Sequence, residues 1–157
     1  WARRAEVLEP FLASGATAAA SVAELGAQGD LVGVCVVDDA GVLPWTGATE
    51  PLKTAAAHAH LAFVAVNLTH ARDRTQLFAE LDRALKLPEH FGHNWDALAD
   101  VFEDRDWLGK TGRVIVLAGS AAYRREHPTD WGMLEEIMAE ACEFWKERHV
   151  AFWVFTA

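Results

Sequence analysis

The chain has 157 residues, 52% of them apolar and including seven Trp and eight Phe. That is enough for one packed domain with or without an appended segment, and it excludes a disordered chain. The formal net charge of −9 repels nucleic acid and anionic membranes, so neither is expected as a direct partner and cationic proteins are favoured.

At the N-terminus, Arg3 and Arg4 are followed by Glu6, Glu9 and Pro10, which break any apolar run, so no signal peptide is expected. Residues 1–60 differ in texture from the rest and read as an N-terminal extension of open role, ahead of a domain over residues 61–157. "WARRAEVLEPFLASG" suggests a short helix, and "ATAAASVAELGAQG" fits helix or ordered coil. "LVGVCVV", bounded by Gly29-Asp30 and by Asp38-Asp39-Ala40-Gly41, predicts a strand, a turn and a second short strand at "VLPW". "TGATEPLKTAAAHAH" reads as a connector. Cys35 and Cys142 lie in apolar surroundings with no short spacing between them, which predicts buried thiols in a reducing compartment.

From residue 61 the punctuation becomes regular. "LAFVAVNL" is a continuous apolar strand of the kind buried on both faces of a parallel sheet. "THARDRTQLFAELDRALKLP" places Leu77, Phe78, Leu81 and Leu85 on one helical stripe, and Pro88 ends it. After the segment "LPEHFGHNWDALADVFED" comes a second strand, "GRVIVLAG". A long amphipathic helix follows, with Leu134, Ile137, Met138, Ala141 and Trp145 at helical spacing, and "VAFWVFT" forms a third strand. This alternation predicts an α/β fold with a three-stranded parallel sheet packed with helices, to which the N-terminal extension adds short strands. No apolar run of about 18 residues is present, so nothing is expected to span a membrane, and the expected buried thiols suit a cytoplasmic protein.

Residues 87–104 carry Glu89, Asp96, Asp100, Glu103 and Asp104 without one Lys or Arg. Asn94 caps a helix running from Trp95 to about Glu103. On it Asp96, Asp100, Glu103 and Asp104 fall within a sector roughly 100° wide, while Trp95, Leu98, Ala99, Val101 and Phe102 take the other side. A first-turn Asp is favoured by the helix dipole and a charged outer face suits any solvated helix. Asp96 and Asp100, however, lie at i and i+4, where like charges repel and an ordinary face would interleave cations. Ahead of them, "PEHFGHN" is expected to expose His90 and Phe91, and Gly92 permits a positive φ. Aromatic groups beside carboxylates suit a protein interface.

The segment "LPEHFGHNWDALADVF" closely resembles the binding segment of the barstar family, intracellular inhibitors of barnase-like, guanyl-specific ribonucleases. The resemblance extends over about residues 61–157 with the same element order. It rests on the Pro, Gly-x-Asn, Asp-Ala-Leu and second Asp spacing. It implies a barstar-like fold and a stoichiometric inhibitor that lays this loop and helix into a ribonuclease active site, needing no cofactor or metal and remaining monomeric when free. It further implies that Asp96 and Asp100 are the acidic contacts, with Asp100 in the place of the substrate phosphate. His90, Phe91, Gly92, Asn94, Trp95 and Ala99 would complete the contact surface, together with Glu143 on the last helix. Ala99 stands where the family has a Trp, and His90 where it has a Tyr. Trp107 corresponds to a later family Trp across a two-residue length difference. A ribonuclease gathers cationic groups around the scissile phosphate, to which carboxylates on a rigid helix are complementary.

Other chemistries fit less well. His58, His60 and His70, or His90 and His93, could serve as metal ligands, yet no HExxH pattern is present. Carboxylates one turn apart on one helix point the same way, whereas a hydrolytic acid and base flank a bond from opposite sides. "LAGSAAY" lacks the glycines of a nucleophile elbow. An enzyme is therefore not expected. The alternative is an immunity or protein-interaction module of the same fold, directed at a toxin unrelated to barnase.

Overall fold

In a computed structural model, residues 42–109 and 111–157 are described. The short helix expected at "WARRAEVLEPFLASG", the helix or coil expected at "ATAAASVAELGAQG", the strand expected at "LVGVCVV" and Cys35 lie outside them. The elements in chain order are β1 (Val42–Pro44), α1 (Thr49–His58), β2 (Ala62–Asn67), α2 (Arg74–Leu85), α3 (Trp95–Phe102), α4 (Arg105–Leu108), β3 (Arg113–Ala118), α5 (Ala121–Glu126), α6 (Pro128–Glu147) and β4 (Phe152–Thr156). The strands form one parallel sheet in the order β1-β4-β3-β2. The fold is thus the expected α/β arrangement, with four strands instead of three. The added strand is the short one read at "VLPW". Val42 sits opposite Val154 and Pro44 opposite Thr156, and Pro44 is tolerated because β1 is an edge among the described strands.

Two local expectations change. The segment read as a connector holds α1, where Ala56 is the one buried residue. With Leu52 its single large apolar residue and Ala56 its buried one, this helix shows no apolar stripe to read. Among the described strands β2 is an edge, and only Val66 in it is buried. Its continuous apolar run reflects helices on its faces, α1 and α2, rather than a central position in the sheet. The interior strands are β4 and β3, and β3 is buried from Val114 through Leu117. Ile115 and Leu117 join Phe152, Val154 and the apolar stripes of α2, α3 and α6 in the main core, while Val114 and Val116, which alternate with them, lie outside it. Among the described residues, no helix is long and apolar enough to cross a membrane.

The expected stripe Leu77, Phe78, Leu81 and Leu85 is the buried face of α2, and Asp73 caps its start by accepting from Gln76 N at 2.8 Å. Three helices end in the same way. Leu61 N donates to Ala56 O, Leu87 N to Asp82 O and Val150 N to Trp145 O, each closing a six-residue loop around a residue with positive φ. Those residues are His60 (57°), Lys86 (52°) and His149 (56°). Glycine usually occupies this position because a Cβ is strained there.

The start of α2 is clamped to the start of α6. Arg74 Nε and Nη2 donate to Asp130 Oδ1 at 3.1 and 2.6 Å, and Tyr123 Oη donates to Asp130 Oδ2 at 3.4 Å. The Arg74 hydrogen bond holds the Asp130 carboxyl below its ordinary value. Burial, then the neighbouring Asp130, pushes the Tyr123 phenol up to about 12.

His60→Gly and His149→Gly should each raise stability in urea unfolding, by up to about 1 kcal/mol, because the strain exceeds glycine's entropic cost. The corresponding Ala variants should gain nothing. Asp130→Asn should lower the urea midpoint at neutral pH. Because the folded-state pKa is depressed, the clamp's contribution is fully present above the ordinary carboxylate value and fades as pH falls through the folded value. The gap between Asp130→Asn and the unmodified chain should therefore close in acid; a gap independent of pH would refute the assignment.

Candidate functional site

The site begins where α2 ends. Lys86 turns the chain outward and Leu87 buries its side chain. Phe91 N then donates to Pro88 O at 2.8 Å, closing a turn with Glu89 and His90 exposed at its tip. Phe91 itself, expected to be exposed, is only 6% so. Its ring meets Phe78 of α2 edge-on at 5.9 Å and lies 4.8 Å from the His93 ring. Phe91 anchors the loop to α2, and of the two aromatic groups read as surface contacts His90 alone faces solvent.

The positive φ expected at Gly92 falls on His93, at 50°. His93 Nε2 lies 3.2 Å from Asp82 Oδ2, tying the loop to α2 a second time. Gly92 is required for space instead. A Cβ there would stand 2.9 Å from Asn94 Nδ2, the group that donates to the Gly92 carbonyl at 3.2 Å. The other end of the same amide caps α3, Asn94 Oδ1 accepting from Ala97 N at 2.8 Å.

On α3, Leu98, Val101 and Phe102 are buried, while Asp96, Asp100 and Glu103 are exposed. Asp104 leaves the expected acidic sector. The helix ends at Phe102, and the Asp104 carboxylate accepts from Asp106 N at 2.8 Å as the N-cap of α4. The outward row is therefore Asp96, Asp100 and Glu103, with Ala99 half-buried beside it. Asp96 and Asp100 are one turn apart, about 6 Å along the axis. Among the described residues, none of Glu89, Asp96, Asp100 and Glu103 has an ion-pair partner, whereas Glu50, Glu80, Glu126 and Asp130 each pair with a Lys or Arg.

Two indoles hold the flanking helix ends. Trp145 of α6 donates Nε1–H to the Phe102 carbonyl, the last of α3, at 2.7 Å in a buried bond. Trp107 donates Nε1–H to the Leu85 carbonyl, the last of α2, at 3.2 Å. Trp107 stacks on Phe102 at 5.3 Å and meets Phe152 edge-on at 6.5 Å, and the Arg113 Cζ lies 4.0 Å from its ring. Burial there lowers the Arg113 pKa. Helical spacing places Trp145 on the apolar stripe of α6 and the family resemblance singles out Trp107, but no local pattern marks an indole that caps a helix far along the chain.

The remaining candidates sort as follows. Trp95 is half-buried at the start of α3, its ring 4.7 Å from Phe78 and 5.7 Å from the Arg74 Cζ. Glu143 is exposed on α6, and its ion-pair partner is Lys146 of the same helix, at 3.6 Å, not a residue of α3. Ser120 is buried and donates to the Ala157 carbonyl at 3.0 Å, a structural role. Among the described residues, no group of three His, Cys, Asp or Glu side chains is placed to hold a metal ion. What the loop and helix offer chemically is a rigid row of solvated anions.

The family model described as Barstar (barnase inhibitor) matches residues 61–157, more than half of the chain. No curated protein matches the chain.

Substitutions on α3 should separate its cap from its charged face. Asn94→Ala should cost about 1 kcal/mol, since it removes the cap. Asp100→Ala should leave stability unchanged or raise it by a few tenths of a kcal/mol, because it relieves the repulsion from Asp96 and improves helix propensity. Asp96→Ala should lose some stability, because it removes an anion from the positive end of the helix. Urea unfolding of the three variants checks the order. An Asp100→Ala variant destabilised by more than about 1.5 kcal/mol would make that residue structural.

Proposed function

The chain belongs to the barstar family, and we propose that it is a stoichiometric protein inhibitor of a barnase-like ribonuclease, acting in the cytoplasm as a monomer without a cofactor. The observation that carries the reading is the row Asp96, Asp100 and Glu103, exposed and without ion-pair partners among the described residues. A folded protein gains nothing from like charges one turn apart on an ordinary surface. They are favourable when a cationic partner covers them, and a ribonuclease active site is such a partner because it must stabilise a phosphate. The capped helix holds the anions in place before the encounter, so little ordering entropy is lost on docking.

In this reading Asp100 sits at the centre of the contact and Asp96 beside it. His90, Gly92, Asn94, Trp95 and Ala99 surround them, Phe91 supports the loop from below, and Glu143 is a peripheral contact on α6. The small Ala99, where the family has a Trp, favours a second reading: a toxin unrelated to barnase that fills the space with its own side chain.

Titration against barnase and a panel of related guanyl-specific ribonucleases distinguishes the two. Inhibition should be stoichiometric at one to one, and Asp100→Ala should weaken it at least a hundredfold while remaining folded, because the cationic pocket is left desolvated without its anion. Association should be electrostatically steered, so kon should fall steadily as salt rises from about 0.05 to 0.5 M. Absence of inhibition across the panel, or a kon flat over that range, would overturn the reading.

A further inference from the structure

At the N-terminal shoulder of the acidic helix the structure places one cation. Arg74 lies on α2, 57% exposed in its side chain, with its Cζ 5.7 Å from the ring of Trp95, the first residue of α3 and the neighbour of Asp96. It does not lie against the α3 carboxylates as an internal counter-ion. Its Nε and Nη2 both go to Asp130 Oδ1, and Nη1 takes part in none of the hydrogen bonds among the described residues. The far end of the anchor is fixed in turn: Asp130 is 13% exposed in its side chain and accepts from the buried Tyr123 hydroxyl.

We propose that Arg74 is a specificity-determining residue of the inhibitory face, meeting a carboxylate on the rim of the partner ribonuclease while Asp96 and Asp100 enter its cationic centre. The inference rests on the inhibitor reading above and deepens it.

Three features support a contact rather than a bystander. A guanidinium tethered by two bonds and laid over an indole is pre-organised, so it loses little freedom when a partner arrives. A fixed cation beside an anionic row is a cost against a uniformly cationic surface, and becomes a gain when the partner sets an acid at that point. The position is also built from three separate elements, α2, α3 and α6, so the contact registers the partner along the helix axis, which Asp96 and Asp100 alone do not.

The test uses the ribonuclease of the panel that the unmodified chain inhibits most tightly. Arg74→Met removes the cation and keeps an apolar stem over Trp95, while Asp130→Asn releases the anchor and keeps the cation. Stopped-flow kon, koff and urea midpoints are measured for both. Arg74→Met should raise koff at least tenfold with kon unchanged or slightly increased, since the chain becomes more negative. Asp130→Asn should lower the urea midpoint as much or more, yet raise koff less than threefold. If Arg74→Met leaves koff within twofold of the unmodified chain, or if both variants raise koff alike, Arg74 is only a clamp and the proposal fails. Failure of Arg74→Met beside a large loss for Asp100→Ala overturns this inference alone. Absence of inhibition by the unmodified chain overturns the inhibitor reading, and this inference with it.

Discussion

The geometry of the acidic face depends on a hydrogen bond that involves none of its residues. The Trp145 indole donates to the Phe102 carbonyl in the buried core, where an orphan helix-end acceptor would otherwise cost about 1–3 kcal/mol. That bond fixes where α3 stops and couples it to α6, a 20-residue helix that also packs on β4 and β1. The Trp107 indole does the same for α2. Between the two capped ends lie a loop and eight helical residues, anchored by Phe91 from within and started by Asn94. The face is thus held at both ends and from below.

This rigidity explains how the chain tolerates its charge. Asp96 and Asp100 repel each other, and among the described residues no Lys or Arg forms an ion pair with either. A marginal helix of eight residues would not form alone, and it persists because Leu98, Val101 and Phe102 are buried against the rest of the core. Packing on one face supplies the stability that the other face forgoes. Under the proposed inhibitor reading, the same division would separate positions under folding constraint, Asn94, Phe91 and Gly92, from positions open to change in partner preference, Asp100 and Ala99.

How legible all this was in the sequence follows from the range of each interaction. The stripes of α2 and α6, the strands at residues 62–67, 113–118 and 152–156, and the Asn94 cap are short-range patterns, and they were readable. The helix ends were less so, because His60, Lys86 and His149 occupy the left-handed positions that glycine would have announced. Gly92 misled for the same reason in reverse: it answers a steric demand from Asn94, while His93 takes the positive φ. Asp104 was counted with the acidic row because helical periodicity does not show where a helix stops, and here a second cap begins. Phe91 read as exposed because a loop gives no sign of the Phe78 ring waiting for it.

Arg74 is the sharpest instance of what local pattern omits. In sequence it is one of several charges opening an amphipathic helix, 21 positions before Trp95 and 56 before Asp130. Only the fold brings those three together, with the arginine drawn between a mostly buried carboxylate and an indole. A charge placed by long-range contacts stays where it is while the loop residues around it vary, so it can set register for a partner in a way that the flexible end of a lone surface arginine cannot. Under the proposed inhibitor reading, the acidic row would supply attraction of one sign to any cationic cleft, and discrimination among clefts would fall to the groups at its edges: the small Ala99 on α3 and the fixed cation beside Trp95.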